Sequence, residues 1–228
     1  MKLRWLGHAC FLLESRDGSV VFDPYAPGYV PGLRLPPLQA DLCLCSHGHE
    51  DHNHASSVRL SGRPCALTVT RIPCFHDEKG GSLRGENFLT IVEAEGLRIA
   101  HAGDLGHPLS REQLAALGRV DVLLLPVGGT YTLDAAAAAR QAKAIGAGLT
   151  IPMHYRGAGF GFGVLQTVEE FSAGEGGISA VMDDVEVQVG SAGYMHFIGV
   201  KIPGKMKFDD AIYTAMGGKL KISVANCP

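Results

Sequence analysis

The feature that most constrains this chain is the run His47-Gly48-His49-Glu50-Asp51-His52, which puts four side chains of metal-ligand type into six positions. The segment before it, Asp41-Leu42-Cys43-Leu44-Cys45-Ser46, reads as a buried β-strand. A strand end is a rigid mount, which a metal site requires. His47 and His49 are two residues apart, so both imidazoles can point the same way from an extended turn. Asp51 and His52 leave the next stretch of backbone and diverge from the first pair, which favours two adjacent metal positions over one. A lone His-x-His pair is a weak signal, but no other segment of the chain is comparably dense in ligands.

The rest of the sequence supplies the frame. Strand-like segments dominate the first hundred residues, at 2–6, 10–14, 19–23, 42–46 and 66–70. Segments 87–93 and 97–101 flank Glu95-Gly96 and read as a hairpin. Helix signals come later. Ser110-Arg111-Glu112-Gln113 is a capping box ahead of a short apolar stretch closed by Gly118. Residues 132–145 are alanine-rich and end at Gly146, and 167–171 starts another short helix. Segments 122–127 and 149–153 are continuous apolar runs suited to buried strands, and 178–182 with 185–189 reads as a final hairpin. Strands followed by alternating strands and helices predict a layered α/β architecture, sheets inside and helices outside.

The 228 residues suit one large domain with a short extension, and 46% hydrophobic against 19% charged content is that of a globular protein. A net charge of −3 argues against a general nucleic-acid binder, which shows a basic footprint. The six cysteines form no Cys-x-x-Cys pair and no small disulfide framework; they read as reduced, buried, small hydrophobes, which fits the cytoplasm. The N-terminal apolar run is interrupted by His8 and Glu14 and is too short for a membrane span, so a first strand is expected there and no membrane association. After Gly190 the character changes. Residues 191–228 carry five lysines against two aspartates, whereas residues 1–190 are net acidic. This tail offers strand-like 194–202, a helix over 209–216 and strand-like 219–225. We read it as an edge element packed on the body, with a homo-oligomerisation arm as the alternative.

The pattern His47-x-His49-x-Asp51-His52 resembles the signature of the metallo-β-lactamase superfamily, and its flanks look like the branch that includes ascorbate-6-phosphate lactonase and related metal-dependent hydrolases. Trp5-Leu6-Gly7-His8-Ala9-Cys10-Phe11 and Val21-Phe22-Asp23-Pro24 resemble the start of that branch. Ala102-Gly103-Asp104-Leu105-Gly106 resembles the family's Gly-Asp-Thr turn, with Leu105 in place of the usual threonine, and Pro152-Met153-His154-Tyr155 resembles its final histidine motif. The likeness covers residues 1–190 in order and leaves out the tail. It implies a four-layer αβ/βα sandwich over 1–190 and a ligand set. One metal goes to His47, His49 and His76, the second to Asp51, His52 and His154, and Asp104 bridges both. His101 is the rival to His76, but it belongs to the strand leading into Asp104 and is expected to support the site from behind. The resemblance also gives Asp23 a supporting role.

All these ligands are N or O donors, which suits Zn²⁺ and also Mn²⁺ or Fe²⁺. Two divalent ions about 3.5–4 Å apart can share a water and bring its pKa near neutrality, so that a hydroxide attacks an electrophilic carbon or phosphorus. Asp51 would both ligate and orient the nucleophile. His8 is a candidate for the pocket wall and Arg156 for binding a substrate anion, while His54, His107 and Glu50 read as loop residues. In the glycine-rich stretch 157–163, Phe160 and Phe162 either cover substrate or join the core. The expected activity is hydrolysis of a small-molecule lactone, ester, amide or phosphoester. The alternatives are a nuclease acting on RNA or DNA, which only the basic tail would favour, and a metal-binding protein without turnover.

Overall fold

The computed structural model describes residues 1–173, 180–182, 185–187, 212–215 and 220–224. Before the histidine loop the chain forms β1 (Lys2–Trp5), β2 (Phe11–Glu14), β3 (Ser19–Phe22), β4 (Leu38–Ala40) and β5 (Leu42–Leu44). After it come β6 (Val58–Leu60), β7 (Thr68–Phe75), β8 (Glu86–Ala94) and β9 (Leu97–His101). Helix α1 (Arg111–Leu117), β10 (Val122–Pro126), α2 (Ala135–Ile145), β11 (Leu149–Met153) and α3 (Val168–Ala173) then alternate. The hairpin β12 (Ala180–Met182) and β13 (Val185–Val187) follows, and the last described strands are β14 (Ile212–Ala215) and β15 (Leu220–Val224).

These strands build two mixed sheets. The first has the order β14-β15-β1-β2-β3-β5 and the second β11-β10-β9-β8-β7. Antiparallel neighbours such as β1–β2–β3 and β7–β8–β9 need only short turns. The parallel run β9–β10–β11 needs long crossovers, and α1 and α2 supply them. Both helices start where the sequence provides a cap. The Ser110 side chain accepts from the Gln113 backbone and Gln113 reciprocates, while Asp134 accepts from the backbone of Ala137. Helix α2 stops at Gly146, which takes the left-handed conformation at φ 64°.

The two sheets share one core. Leu3, Phe11, Leu13 and Phe22 of the first sheet belong to the same apolar cluster as Leu89, Ile91, Ile99 and Leu123 of the second. Every residue of β10 and β11 is buried, because the second sheet is covered by the first on one side and by helices on the other. Helix α2 packs against β10 and α3, and α1 against β7. A second cluster, including Leu12, Val21, Tyr25, Leu33 and Val58, is built from the first sheet, residues 25–40 and the two-stranded β4–β6 sheet. The architecture is an α/β sandwich of mixed sheets flanked by helices, as the strand and helix order predicts.

Two local readings change. Strand β7 runs on to Phe75, through Pro73, instead of ending near residue 70. It is the edge of its sheet, the position where a residue without an N–H is tolerated. The 209–216 segment contains strand β14 rather than a helix; Ile212 and Tyr213 suit a ladder, and β15 offers one. Strand β15 itself pairs in parallel with β1, Lys2 opposite Lys221 and Trp5 opposite Val224. Segment 194–202 and Cys227 lie outside the described residues. Cys10, Cys43, Cys45, Cys65 and Cys74 are free thiols. Among the described residues no helix is long and apolar enough to cross a membrane.

Candidate metal centre

The functional side chains sit just beyond strand ends from both sheets. Asp23 follows β3, Ser46 to His52 follow β5, His76 follows β7, Asp104 follows β9, and His154 follows β11. Asp23 and His154 adopt left-handed backbone, φ 43° and 53°, as does His8 at 53°. Such strain in non-glycine residues persists only where the surroundings impose it, and here it gathers at one place. His154 donates its backbone N–H to the His8 carbonyl, and Asp23 donates its own to Leu44.

Asp104 is the centre of the group. Its Oδ2 lies 3.1 Å from His76 Nε2, 3.1 Å from His154 Nε2 and 4.0 Å from His47 Nε2; its Oδ1 lies 3.2 Å from His52 Nε2. His47 Nε2 and His49 Nδ1 are 3.1 Å apart. Three overlapping ligand groups result, each with its donor atoms within 4.8 Å of one another: His47, His49 and His76; His8, Asp51, His52 and His154; and His47, His52 and Asp104, which joins the other two. Despite these distances, His52 Nε2, His154 Nε2 and Asp104 Oδ1 are buried without completing a hydrogen bond. Orphaned buried donors and acceptors are costly, and a cation placed among them would satisfy them. The residues fit a metal.

The remaining contacts fix which nitrogen faces the centre. The Ser46 hydroxyl donates to Asp23 Oδ2 at 2.6 Å, so it accepts from His47 Nδ1 at 2.9 Å. His52 Nδ1 donates to the same Asp23 oxygen at 2.7 Å, and His76 Nδ1 donates to the Tyr131 carbonyl at 3.1 Å. In His47, His52 and His76, Nδ1 is therefore tied to the frame and Nε2 is directed inward, the arrangement by which outer partners orient metal ligands. Asp104 is fixed from behind by Asn87, whose Oδ1 accepts its backbone N–H at 3.0 Å.

Electrostatics keep most of this set in ligand form. Burial drives His47 and His8 down to about 3, so both are neutral at physiological pH. Burial raises the carboxyls of Asp104 and Asp51, but the neighbouring histidines outweigh it: His154 and His52 hold Asp104 far below the usual carboxylate range, and the His8 hydrogen bond holds Asp51 low. His52 and His76 are the exceptions. Burial pushes both down, yet Asp104 and Asp23 on either side raise His52 well above an ordinary histidine, and the Asp104 contact raises His76.

Residues 2–154 match the β-lactamase superfamily domain. A protein of Archaeoglobus fulgidus named UPF0173 metal-dependent hydrolase is 31% identical over 194 residues, covering 68% of this chain and 83% of its own. The chain belongs to the metallo-β-lactamase superfamily. It is a metal-dependent hydrolase of that superfamily, similar also to a Thermotoga maritima structure described as a candidate Zn-dependent hydrolase. That likeness has 34% identity and a TM-score of 0.58 and covers 74% of this chain and 82% of the other. A metallo hydrolase from Ignicoccus hospitalis, at 22% identity with a TM-score of 0.58 and coverage of 75% and 88%, shares the fold.

Within this metallo-β-lactamase fold the seven residues expected as ligands, His47, His49, Asp51, His52, His76, Asp104 and His154, converge. His101 stays outside. Its Nε2 donates to the Ala9 carbonyl at 2.8 Å, its Nδ1 accepts from Gly103 at 3.1 Å, and its ring stacks on Phe22, leaving no lone pair for a metal. His8 departs from the expected wall position: it is fully buried and its Nε2 contacts Asp51 Oδ2 at 3.2 Å, so it braces that carboxylate from within. Arg156 also departs. Its guanidinium donates to the Leu165 carbonyl at 2.5 Å, and it does not line the cleft over the cluster. The two phenylalanines divide: Phe160 packs on Trp5 and Tyr155, while Phe162 faces the cleft.

That cleft has a volume of about 320 Å³. Its floor is His49, Asp51, His76 and Asp104, and its walls are Tyr29, Tyr131, Phe162 and Arg84. Sequence reasoning missed Tyr29, Tyr131 and Arg84. Each lies in a polar loop without a motif, and only the folded chain brings them to the cluster.

Proposed function

We propose that this centre holds two divalent ions and that the protein hydrolyses a small-molecule lactone, ester, amide or phosphoester. The observation that carries the reading is Asp104, whose two oxygens face histidines of the first two ligand groups. His47, His49 and His76 would hold one ion; Asp51, His52 and His154 the other; Asp104 would join them. The N and O donors suit Zn²⁺, and also Mn²⁺ or Fe²⁺. Two such ions, when bound, supply Lewis acidity and lower the pKa of a water toward neutrality.

The chain's own groups do the rest. Asp51, held ionised and braced by His8, presents a carboxylate at the cleft floor, where it would orient the attacking water. Asp23 keeps the His47 and His52 rings in place, the first through Ser46. Tyr29, Tyr131 and Phe162 give the substrate an aromatic wall and limit the access of bulk water. A cleft of this size with a single arginine fits a small molecule better than a nucleic acid, which needs a basic track. The free thiols support a reducing compartment, the cytoplasm.

The test combines elemental analysis with an activity screen of the metal-loaded protein against lactones, esters, phosphodiesters and RNA. About two ions per chain and turnover of a small substrate are expected. A stoichiometry of about one or less under every loading condition would remove the two-ion reading, and turnover of RNA alone would remove the small-molecule one.

A further inference from the structure

We propose that Arg84 is the anion anchor of the cleft. It receives a carboxylate or phosphate group of the substrate while the bond to be cleaved lies over the His/Asp floor. This rests on the hydrolase reading above and narrows it to anionic small molecules.

Arg84 is the only arginine or lysine among the described residues lining the cleft. Its guanidinium makes one hydrogen bond, from Nη2 to the Thr130 carbonyl at 3.1 Å, and lies over the Tyr131 ring, 5.7 Å from its centre. No carboxylate among the described residues pairs with it. A half-buried guanidinium has five N–H donors in a planar fork that matches carboxylate and phosphate oxygens, and most of this fork is open. The Tyr131 ring attracts the guanidinium without using its donors.

The position of the fork is fixed relative to the reaction centre by two loops. In the first, the buried carboxylate of Asp77 accepts four backbone N–H groups, from Lys79 (2.8 Å), Gly81 (3.0 Å), Leu83 (3.0 Å) and Arg84 itself (2.8 Å). Asp77 adjoins His76, and the His76 backbone N–H donates to Gly85. Arg84 is thereby tied to both sides of a ligand. In the second loop, consecutive carbonyls serve the two functions: Thr130 holds the Arg84 fork and Tyr131 holds His76 Nδ1. Thr130 adopts a left-handed φ of 54°, a strained conformation that this turn maintains. A surface arginine shielding a tyrosine would need neither constraint. A group that must keep one distance from His76 needs both.

The test uses metal-loaded wild-type, Arg84→Gln and Arg84→Lys proteins matched for metal content. Succinate and glycerol 3-phosphate are titrated calorimetrically, and 4-nitrophenyl hemisuccinate is compared with the neutral 4-nitrophenyl acetate as substrate. Arg84→Gln should weaken at least one anion about tenfold, the loss of one charge-assisted hydrogen bond of ~1.5 kcal/mol. The anion affected identifies carboxylate or phosphate as the group received. The charged-to-neutral ratio of kcat/KM should fall by a similar factor, through KM. Arg84→Lys, which keeps the charge and loses the fork, should fall between, and it carries the same reading if the glutamine variant does not fold. Equal anion affinity in wild type and variants, or no anion binding by the wild type, would overturn the proposal. If neither ester is turned over, the ester member of the proposed substrate range fails on its own, and the calorimetry still decides the role of Arg84.

Discussion

The cluster has a closed half and an open half. His8, His52 and His154 are sealed from solvent, with Asp23 behind them, whereas in the other half only His76 is buried, His49 is exposed at the cleft and His47 is half-buried. In the closed half the side chains are tied by charge: His52 lies between Asp23 and Asp104, and Asp51 is braced by His8. In the open half His76 is also tied to Asp104, but among the described residues His49 contacts only His47 within hydrogen-bond distance. Rigid ligands lose little freedom on binding an ion, so the closed half is built for retention. The open half gives up some of that rigidity for access to substrate.

Asp104 is where the halves meet, so its removal should have the largest effect. Asp104→Ala is expected to lower occupancy of both halves and reduce turnover by more than Asp51→Asn. Asp51→Asn, which keeps the shape but removes a charged ligand, is expected to cost at least about a hundredfold, ~2.7 kcal/mol of barrier. Elemental analysis and kcat at saturating metal check both. An Asp104→Ala protein with one half still fully loaded would show the halves to be independent, contrary to the geometry.

The difference between the halves also separates what was legible in the sequence from what was not. His47, His49, Asp51 and His52 are neighbours along the chain, so their density speaks for itself. His76, Asp104 and His154 are single residues after three separate strands; nothing local marks them, and only the order of motifs in a resembling family does. His101 could be weighed against His76 only in outline, because the carbonyl and amide that occupy its ring nitrogens come from Ala9 and Gly103. Arg84 was invisible for the same reason: its neighbours in space are some 46 residues away in sequence. The sandwich itself was legible from alternating patterns. Its edges were not, since β14 and the Pro73 end of β7 depend on which strand lies alongside.

Asp23 sharpens the comparison at intermediate size. It contacts His52 directly and His47 only through Ser46. Asp23→Asn should therefore weaken metal retention about 10–100-fold, the usual cost of removing an orienting partner, and mainly in the closed half. Chelator competition with two-phase release kinetics measures this. Equal acceleration of both phases would mean that Asp23 supports the two halves alike.

Protonation has a gentler effect and cuts across the halves. Against the pull of burial, Asp104 and Asp23 raise His52 in the closed half and Asp104 raises His76 in the open half, whereas burial lowers His8 and His47. A raised histidine contributes stability below its unfolded pKa of about 6.5, and this is lost as pH rises through the folded value. Metal-free protein should accordingly lose stability on the alkaline side, while metal affinity rises at least about tenfold per pH unit as protons are displaced from His52 and His76. Calorimetry in two buffers of different ionisation enthalpy counts those protons. Loading with no proton release would place both histidines in their neutral form and remove the charge argument.

The smallest effects are expected from the two polar residues of the loop that belong to neither half. Glu50 is exposed, and its part in the structure is a backbone carbonyl that accepts from Ala26. His54 is anchored by its backbone N–H to Pro24, with a long 3.4 Å contact from its ring to Ser56. Glu50→Gln and His54→Ala leave those backbone bonds in place, so turnover should stay within about twofold of wild type, ~0.4 kcal/mol. The informative comparison is with Asp51→Asn at the same metal content, because all three changes lie within five positions of one loop. If Glu50→Gln abolished turnover while Asp51→Asn kept it, the proton would be accepted at Glu50. The His8 contact would then serve only to hold the loop against the closed half.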